Sequence, residues 1–283
     1  MRRGMRHRTT HVMVAIATLL LVVGCSSDDS GRESTSGTNA APTTTTAVPA
    51  PTSLNVTSTD FAYALDTETV AAGLVEVTQA NEGEEAHQVT LMRLEDGQTT
   101  ADVVEGLQGP EGDHFVADDA YFGGPTNTLP GESGAVTVEL SEGDYAMVCF
   151  IASSDGESHY VKGMAGALEV VASDAPPVEP PTASDTVRMS DFTYDVPADF
   201  SGQGVIEVVN DGPQVHELTI ATPDLSTGSG LAAIAPGATA YLPVDLEPGT
   251  YNFVCFVSDV DTGDPHFTEG MTLEVTEIGR AHV

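Results

Sequence analysis

The sequence predicts an all-β protein made of two tandem β-sandwiches, and three observations carry that prediction. Segments such as "VEVTQ", "QVTLM", "AVTVEL" and "YAMVCF" are short and alternate apolar with polar residues, which is typical of strands. Turn-forming groups such as "PGE", "EGD" and "EPGT" separate these segments. The whole pattern then occurs a second time, after a proline-rich segment.

The first 24 residues are expected to be an export signal that is removed from the mature protein. Four arginines lie among the first eight residues, and the apolar run that follows at 12–23 is too short to span a membrane as a mature helix. The run ends in "LVVGC", which resembles the lipobox of bacterial lipoproteins. That resemblance implies lipidation of Cys25 and an extracytoplasmic protein anchored to the cell membrane. An ordinary cleaved signal without lipidation is the alternative.

Composition divides the rest of the chain. Residues 25–52 are rich in Ser, Thr, Gly, Ala and Pro and are expected to form a disordered tether. Two Pro-Pro pairs make the segment 173–184 an extended linker between a first domain at 53–172 and a second at 185–276. The last six letters of 277–283, "EIGRAHV", match one reading frame of a common sequencing adapter, so this tail is expected to be an artefact outside the fold.

Four pairs of segments define the repeat. They are "DFAY" with "DFTY", "GLVEVTQANEGEEAHQVTL" with "GVIEVVNDGPQVHELTI", "SEGDYAMVCF" with "EPGTYNFVCF", and "GMAGALEVV" with "GMTLEVTE". The first copy carries about 23 additional residues, around 94–123, and a short helix is predicted there at "TTADVVEGL". A repeat of this length predicts two domains that arose by one duplication.

The charge of the chain excludes one class of partner. Asp and Glu number 43 against 9 Lys and Arg, which gives a formal net charge of -34. Such a surface repels nucleic acid, so no nucleic-acid partner is expected. A surface adapted for solubility or salt is the favoured interpretation, and steering of a basic protein or of cations remains the alternative.

Each repeat contains four residues whose side chains are soft or borderline metal ligands. They are His87, Cys149, His159 and Met164 in the first repeat and His216, Cys255, His266 and Met271 in the second. A thiolate, two imidazoles and a weak thioether form a ligand set that suits copper. Each residue alone is more commonly a core or surface residue. The recurrence of all four in the same order favours a metal site in both repeats.

A disulfide is the competing explanation for the two cysteines of the repeats. Cys149 and Cys255 occupy equivalent interior positions of different sandwiches. Disulfide-bonded residues must have Cα atoms within about 7 Å, which two separate domain cores do not allow. The disulfide is therefore disfavoured.

The histidine and cysteine segments resemble those of the cupredoxins, the blue-copper family of plastocyanin and azurin. "NEGEEAH" at 81–87 and "NDGPQVH" at 210–216 are similar to the family's N-x-G-x-x-x-H segment, and "YAMVCF" and "YNFVCF" are similar to its cysteine strand. The resemblance covers most of 54–171 and 185–276. It implies two Greek-key sandwiches, with copper as cofactor, up to two ions, held by the eight residues named above.

One departure from the family concerns the loop between the cysteine and the second histidine. It has nine intervening residues in the first repeat and ten in the second, which is longer than in the best-known cupredoxins. The turn-forming stretches "SSDGES" and "DVDTGDP" can return the histidine as a small excursion. A distorted or open copper site remains the alternative.

Four functions are compatible with this resemblance: single-electron transfer, copper capture or delivery, a metal-free interaction module, and an enzyme. Electron transfer is favoured, with redox proteins or copper donor and acceptor proteins as partners. An enzyme is disfavoured because two-domain cupredoxin enzymes place histidines beside the cysteine. Here Val148 and Phe150 flank the first cysteine, and Val254 and Phe256 flank the second. No G-x-S-x-G or H-E-x-x-H motif indicates hydrolytic chemistry.

Overall fold

The structure is a computed structural model that describes residues 50–110, 112–224 and 228–278. The predicted signal, Cys25 and nearly all of the predicted tether lie outside these residues, as does the end of the tail from 279 onward. The strands of the first repeat are β1 (Thr52–Thr59), β2 (Ala62–Leu65), β3 (Thr69–Ala71), β4 (Gly73–Asn81), β5 (Thr90–Arg93), β6 (Tyr121–Gly123), β7 (Ser133–Leu140), β8 (Gly143–Val148) and β9 (Ala165–Val171). Those of the second are β10 (Asp185–Ser190), β11 (Thr193–Asp195), β12 (Gln203–Asn210), β13 (His216–Ala221), β14 (Gly228–Ile234), β15 (Thr239–Asp245), β16 (Gly249–Val254) and β17 (Thr272–Ile278).

The strands form two sheets, and the all-β prediction is confirmed. One sheet has the order β11-β10-β12-β15-β7-β4-β1-β2, and the other has the order β17-β16-β13-β14-β6-β5-β8-β9-β3. Most neighbours are antiparallel, but β1 with β4, β10 with β12 and β3 with β9 are parallel. The parallel pairs arise because other strands intervene in the chain and return it to the same end.

The two repeats join edge to edge in both sheets. In the first sheet β7 pairs antiparallel with β15, and Val138 lies opposite Ala240. In the second sheet β6 pairs antiparallel with β14, and Phe122 lies opposite Ile234. Each sheet therefore continues from one repeat into the other and leaves no free edge at this seam.

The main hydrophobic core extends across the seam. Buried side chains of the first repeat, such as Leu54 and Val138, belong to the same cluster as Ile206, Leu242 and Phe253 of the second. The sequence predicted two sandwiches joined by the linker at 173–184, and the structure adds this direct packing. The linker itself belongs to no strand, and the exact domain boundaries stay predictions.

The additional residues of the first repeat contain the predicted helix, α1 (Thr100–Leu107). Thr99 caps its start: the Thr99 hydroxyl accepts a hydrogen bond from the Asp102 N–H, and the Asp102 carboxylate accepts one from the Thr99 N–H. The helix buries Val103 and Leu107. Two 3-10 helices, Gly112–Phe115 and Asp118–Ala120, follow before β6.

The seam depends on close backbone approach at a glycine. Gly124, which accepts a hydrogen bond from the Ala232 N–H across the seam at 2.7 Å, has a φ of +138°. A Cβ at this position would lie 2.1 Å from the carbonyl oxygen of Val89. Gly131 also has a positive φ, +79°, but a Cβ there would meet nothing within 4 Å.

We therefore expect Gly124→Ala to lower the free energy of unfolding by at least about 3 kcal/mol, since it combines backbone strain with a backbone clash. Gly131→Ala carries only the strain and is expected to cost about 1–2 kcal/mol. Urea denaturation of both variants measures the difference. Equal costs for the two substitutions would show that the backbone does not approach so closely at the seam.

Candidate metal centres

Two histidines and a cysteine meet in each repeat. In the first, Nδ1 of His87 lies 3.1 Å from Nδ1 of His159, which lies 3.4 Å from Sγ of Cys149. In the second, the corresponding separations among His216, His266 and Cys255 are also 3.1 and 3.4 Å. The side chains of all six residues are fully buried. The structure thus brings together six of the eight residues singled out from the sequence into two matching clusters.

One ion can bond all three atoms of a cluster. Metal–nitrogen bonds to histidine are about 2.0–2.1 Å and metal–sulfur bonds to cysteine about 2.3 Å, so atoms 3.1–3.4 Å apart can share one centre. The methionines lie beside the clusters and are also fully buried. Met164 N–H donates to the carbonyl of His159 at 2.9 Å, and Cys149 N–H donates to the carbonyl of Met164 at 3.3 Å. Met271 repeats both hydrogen bonds in the second cluster at the same distances.

The long loop between the cysteine and the second histidine is a small hairpin in both repeats. In the first, Ala152 pairs with Ser158, and His159 N–H donates to the carbonyl of Ile151 at 2.8 Å. In the second, Ser258 pairs with Pro265. The additional residues therefore extend away from the cluster and return the histidine to it, as the turn-forming residues predict. Both cysteines are free, so the disfavoured disulfide is absent between them.

The asparagine of the N-x-G-x-x-x-H segment folds the chain ahead of the first histidine. Asn81 Oδ1 accepts a hydrogen bond from Gly83 N–H at 2.8 Å, and its Nδ2 donates to the carbonyls of Glu85 and Thr128, each at 2.8 Å. Asn210 makes the equivalent hydrogen bonds in the second repeat. These bonds satisfy backbone groups that would otherwise be buried without partners.

The glycine of the same segment leaves room for the histidine and its carboxylate partner. A Cβ on Gly212 would lie 2.6 Å from Nε2 of His216 and 2.8 Å from Oδ1 of Asp191. A Cβ on Gly83 would lie 2.7 Å from Nε2 of His87. Any larger residue would therefore separate the histidine from the carboxylate that holds it.

That carboxylate comes from a residue that the sequence analysis did not assign to the site. Nε2 of His87 donates to Oδ1 of Asp60 at 3.2 Å, and Nε2 of His216 donates to Oδ1 of Asp191 at 2.7 Å. Burial opposes ionisation of Asp60, but the N–H groups of Glu84 and Glu85 together with His87 lower the Asp60 pKa. An acceptor at Nε2 places the ring proton there, so Nδ1 presents its lone pair to the cluster.

The aromatic residues that follow these aspartates cover the clusters. Phe61 packs edge-on against the ring of His159 with centroids 5.2 Å apart, and Phe192 packs against His266 at 4.9 Å. A tyrosine lies two residues after each phenylalanine. The hydroxyl of Tyr63 donates to the carbonyl of Gln88, and the hydroxyl of Tyr194 donates to the carbonyl of Glu217. The repeated "DFAY" and "DFTY" segments were recognised only as part of the duplication. Their shared acid and aromatic positions were the available signal that they belong to the site.

The second histidines of the two clusters differ. Nε2 of His159 donates to Oε2 of Glu85 at 3.0 Å. Gln214 stands at the position equivalent to Glu85, but its amide donates instead to Asp259 at 3.0 Å. Nε2 of His266 is consequently buried without a hydrogen-bond partner among the described residues. Burial, with His216 as the next cause, lowers the pKa of His266 to about 4.

Both cysteines are protonated thiols in the metal-free protein at neutral pH. Burial raises the pKa of Cys149 to about 12, although the N–H groups of Gln88 and Ile151 act in the opposite direction. Burial also raises the pKa of Cys255, and the charge of Glu217 raises it further. A bound cation favours the thiolate, so metal binding must release a proton from each thiol.

Some solved structures are similar to less than half of this chain, about one repeat, and others are similar to most of it. Neither a protein-family model nor a curated protein sequence matches the chain. Reduced auracyanin from Roseiflexus castenholzii is 25% identical, with 45% of this chain and 100% of that chain covered at a TM-score of 0.31. Auracyanin A, a blue copper protein from Chloroflexus aurantiacus, is 21% identical, with 43% and 99% covered at 0.31. A blue copper oxidase from Nitrosomonas europaea is 16% identical, with 76% and 82% covered at 0.27.

If Phe192 seals His266, Phe192→Ala should make that histidine reactive toward diethyl pyrocarbonate in the metal-free protein at pH 6–7. The reagent attacks neutral imidazole, and the low pKa of His266 keeps the ring neutral there. Peptide mass spectrometry reports modification at each histidine separately. Phe61→Ala is the matched control and should leave His266 unmodified. Equal modification of His266 in the unsubstituted protein would show that the ring is not covered.

Proposed function

We propose that this chain, whose fold and two ligand clusters are those of a tandem cupredoxin, binds one copper ion per repeat and carries single electrons outside the cytoplasm. The observation that supports this most strongly is the convergence of two Nδ1 atoms, 3.1 Å apart, with an Sγ 3.4 Å from one of them, fully buried and present twice. Copper bound there would supply a one-electron couple between Cu(II) and Cu(I).

The residues proposed as ligands favour copper over harder cations. They are His87, Cys149, His159 and Met164 in the first repeat and His216, Cys255, His266 and Met271 in the second. Thiolate and thioether sulfur suit Cu(I), while imidazole suits both oxidation states. The backbone hydrogen bonds between the methionine and the other two loop ligands hold the geometry fixed. A ligand set that does not rearrange favours fast electron transfer over storage.

The chain also offers a surface on which a redox protein could dock. Phe256, Val260 and Phe267 are 50%, 46% and 38% exposed, which is unusual for large apolar residues. Phe256 directly follows Cys255, and Phe267 directly follows His266, so this patch adjoins the second cluster. A partner bound there would lie one residue from two of the proposed ligands. A copper donor or acceptor protein would use the same surface in the alternative role of copper delivery.

The carrier role is preferred to oxidase chemistry because of the residues beside the cysteines. Val148, Phe150, Val254 and Phe256 offer no metal-binding atom through which a cysteine could connect to further copper ions. The sequence neighbours of both clusters thus favour isolated sites.

The proposed location rests on the sequence alone. Cleavage before Cys25 and its lipidation would attach the protein to the outer face of the cell membrane through the tether at 25–52. Among the described residues, no helix is both long and apolar enough to cross a membrane.

Cys149→Ser and Cys255→Ser should each lower the copper content from about two ions to about one ion per chain, because the thiolate is the strongest soft ligand of each cluster. Each variant should also lose about half of the thiolate-to-copper absorption in the visible range. Metal analysis and absorption spectra after addition of Cu(II) measure both. An intense band that persists in the doubly substituted protein would contradict the ligand assignment.

Cys25→Ala should release the protein from the membrane fraction without changing its unfolding midpoint. Lipid chains on this residue are the only proposed anchor, and stable attachment needs more than one acyl chain. Fractionation of cells that express either form measures the distribution. Retention of the variant in washed membranes would refute lipid anchoring at this cysteine.

A further inference from the structure

A cavity of about 440 Å³ lies at the seam between the two repeats. Its walls include Gln88 and Glu217, each of which directly follows the first histidine of a cluster, and Phe150 and Phe256, each of which directly follows a cysteine. The volume falls within the range of about 300–1,000 Å³ that is usual for small-molecule sites. The cavity is separate from both clusters but adjoins each of them.

The cavity contains a carboxyl group without a cationic partner. Glu217 is only 7% exposed and lines the cavity. Its Oε1 accepts a hydrogen bond from Phe256 N–H at 2.9 Å, and its other oxygen accepts none from the described residues. Removing a carboxylate from water is costly unless a cation or several donors replace the lost hydration. Burial raises the pKa of Glu217 to about 7, against the opposing effect of the Phe256 N–H, so the described residues supply too few groups to stabilise the ionised form.

No basic side chain of the described residues completes it. These residues include three Lys and Arg, and each is engaged elsewhere. Arg93 donates to Ser141 and to the carbonyl of Glu142, Lys162 pairs with Asp155, and Arg188 pairs with Asp211. None of the described residues therefore supplies a positive charge to Glu217.

The remaining lining suits an organic cation rather than a bare metal ion. Tyr121, Phe150 and Phe256 place three aromatic rings around the cavity, and aromatic faces attract ammonium groups. The buried hydroxyls of Thr90 and Thr219 add hydrogen-bonding groups to the same lining. A net charge of -34 raises the local concentration of cations and repels anions.

We propose that this cavity binds a small organic ammonium ion, with its charged group at Glu217 and its apolar body between the rings of Phe150 and Phe256. This ligand site does not depend on copper in either cluster. It does adjoin the second cluster, because Glu217 N–H donates to Sγ of Cys255 at 3.5 Å. A cation held at Glu217 would therefore also act electrostatically on that cluster.

Calorimetric titration of the metal-free protein with benzylammonium tests the proposal. We expect saturable binding of one ion per chain, with benzyl alcohol and benzoate binding at least about tenfold more weakly. Equal binding of benzyl alcohol would overturn the cationic assignment. The absence of saturable benzylammonium binding up to about 10 mM would overturn the site altogether.

Two variants of the cavity lining and one control variant test where the ion binds. Glu217→Gln should weaken benzylammonium binding at least about tenfold, and folding should persist because Gln88 stands at the equivalent position of the first repeat. Phe256→Ala should weaken it by a smaller factor, since it removes one ring of the wall. Glu76→Gln removes an exposed carboxylate of β4 and is the charge-matched control, expected to change affinity less than about twofold. Similar losses in Glu217→Gln and Glu76→Gln would show general charge attraction instead of a site. Because these titrations use metal-free protein, failure to bind copper would not alter them.

Discussion

The structure depends on holding two imidazole nitrogens and one sulfur within 4.8 Å of one another, away from water. Lone pairs that face each other in a buried space are unfavourable unless a cation lies between them or protons are shared. The protein does not relieve this by separating the groups. Asp60 fixes the tautomer of His87, and Phe61 covers His159. Holding these lone pairs together lowers the stability of the metal-free protein, and a bound ion would offset that loss.

The two clusters share their innermost atoms but differ in the groups around them. A carboxylate, Glu85, holds the second histidine of the first repeat, whereas the second repeat has Gln214 there and leaves Nε2 of His266 without a partner. Next to the first histidine the order is reversed, since Gln88 is neutral and Glu217 is an acid. Equal cluster distances therefore coexist with different local charge. Two sites built by duplication would in this way acquire unequal affinities and reduction potentials without any change of ligand.

Much of this arrangement could be predicted from the sequence, and the remainder could not for a physical reason. The alternation of apolar and polar residues predicted the sandwiches, because it is a local feature of each strand. The repeated order of histidine, cysteine and methionine predicted the ligand atoms that meet, because it occurs in both halves of the chain. Asp60 and Phe61 were missed as site residues, since they lie in the turn between β1 and β2 and reach the cluster only through tertiary packing. The seam was missed for the same reason. Pairing of β7 with β15 joins residues about a hundred positions apart, and nothing in either strand indicates its partner.

The seam gives the duplicated chain something that a single repeat lacks. Strands β5 and β13 begin just after or at the first histidine of each cluster, and β6 and β14 join them into one sheet. The side chains on the outer face of these four strands then form one cavity floor, which includes Thr90 from one repeat and Thr219 from the other. Half of this floor exists in each repeat alone, so neither half can enclose a ligand. Edge-to-edge pairing thus forms the shared cavity beside two clusters that each repeat builds from its own residues.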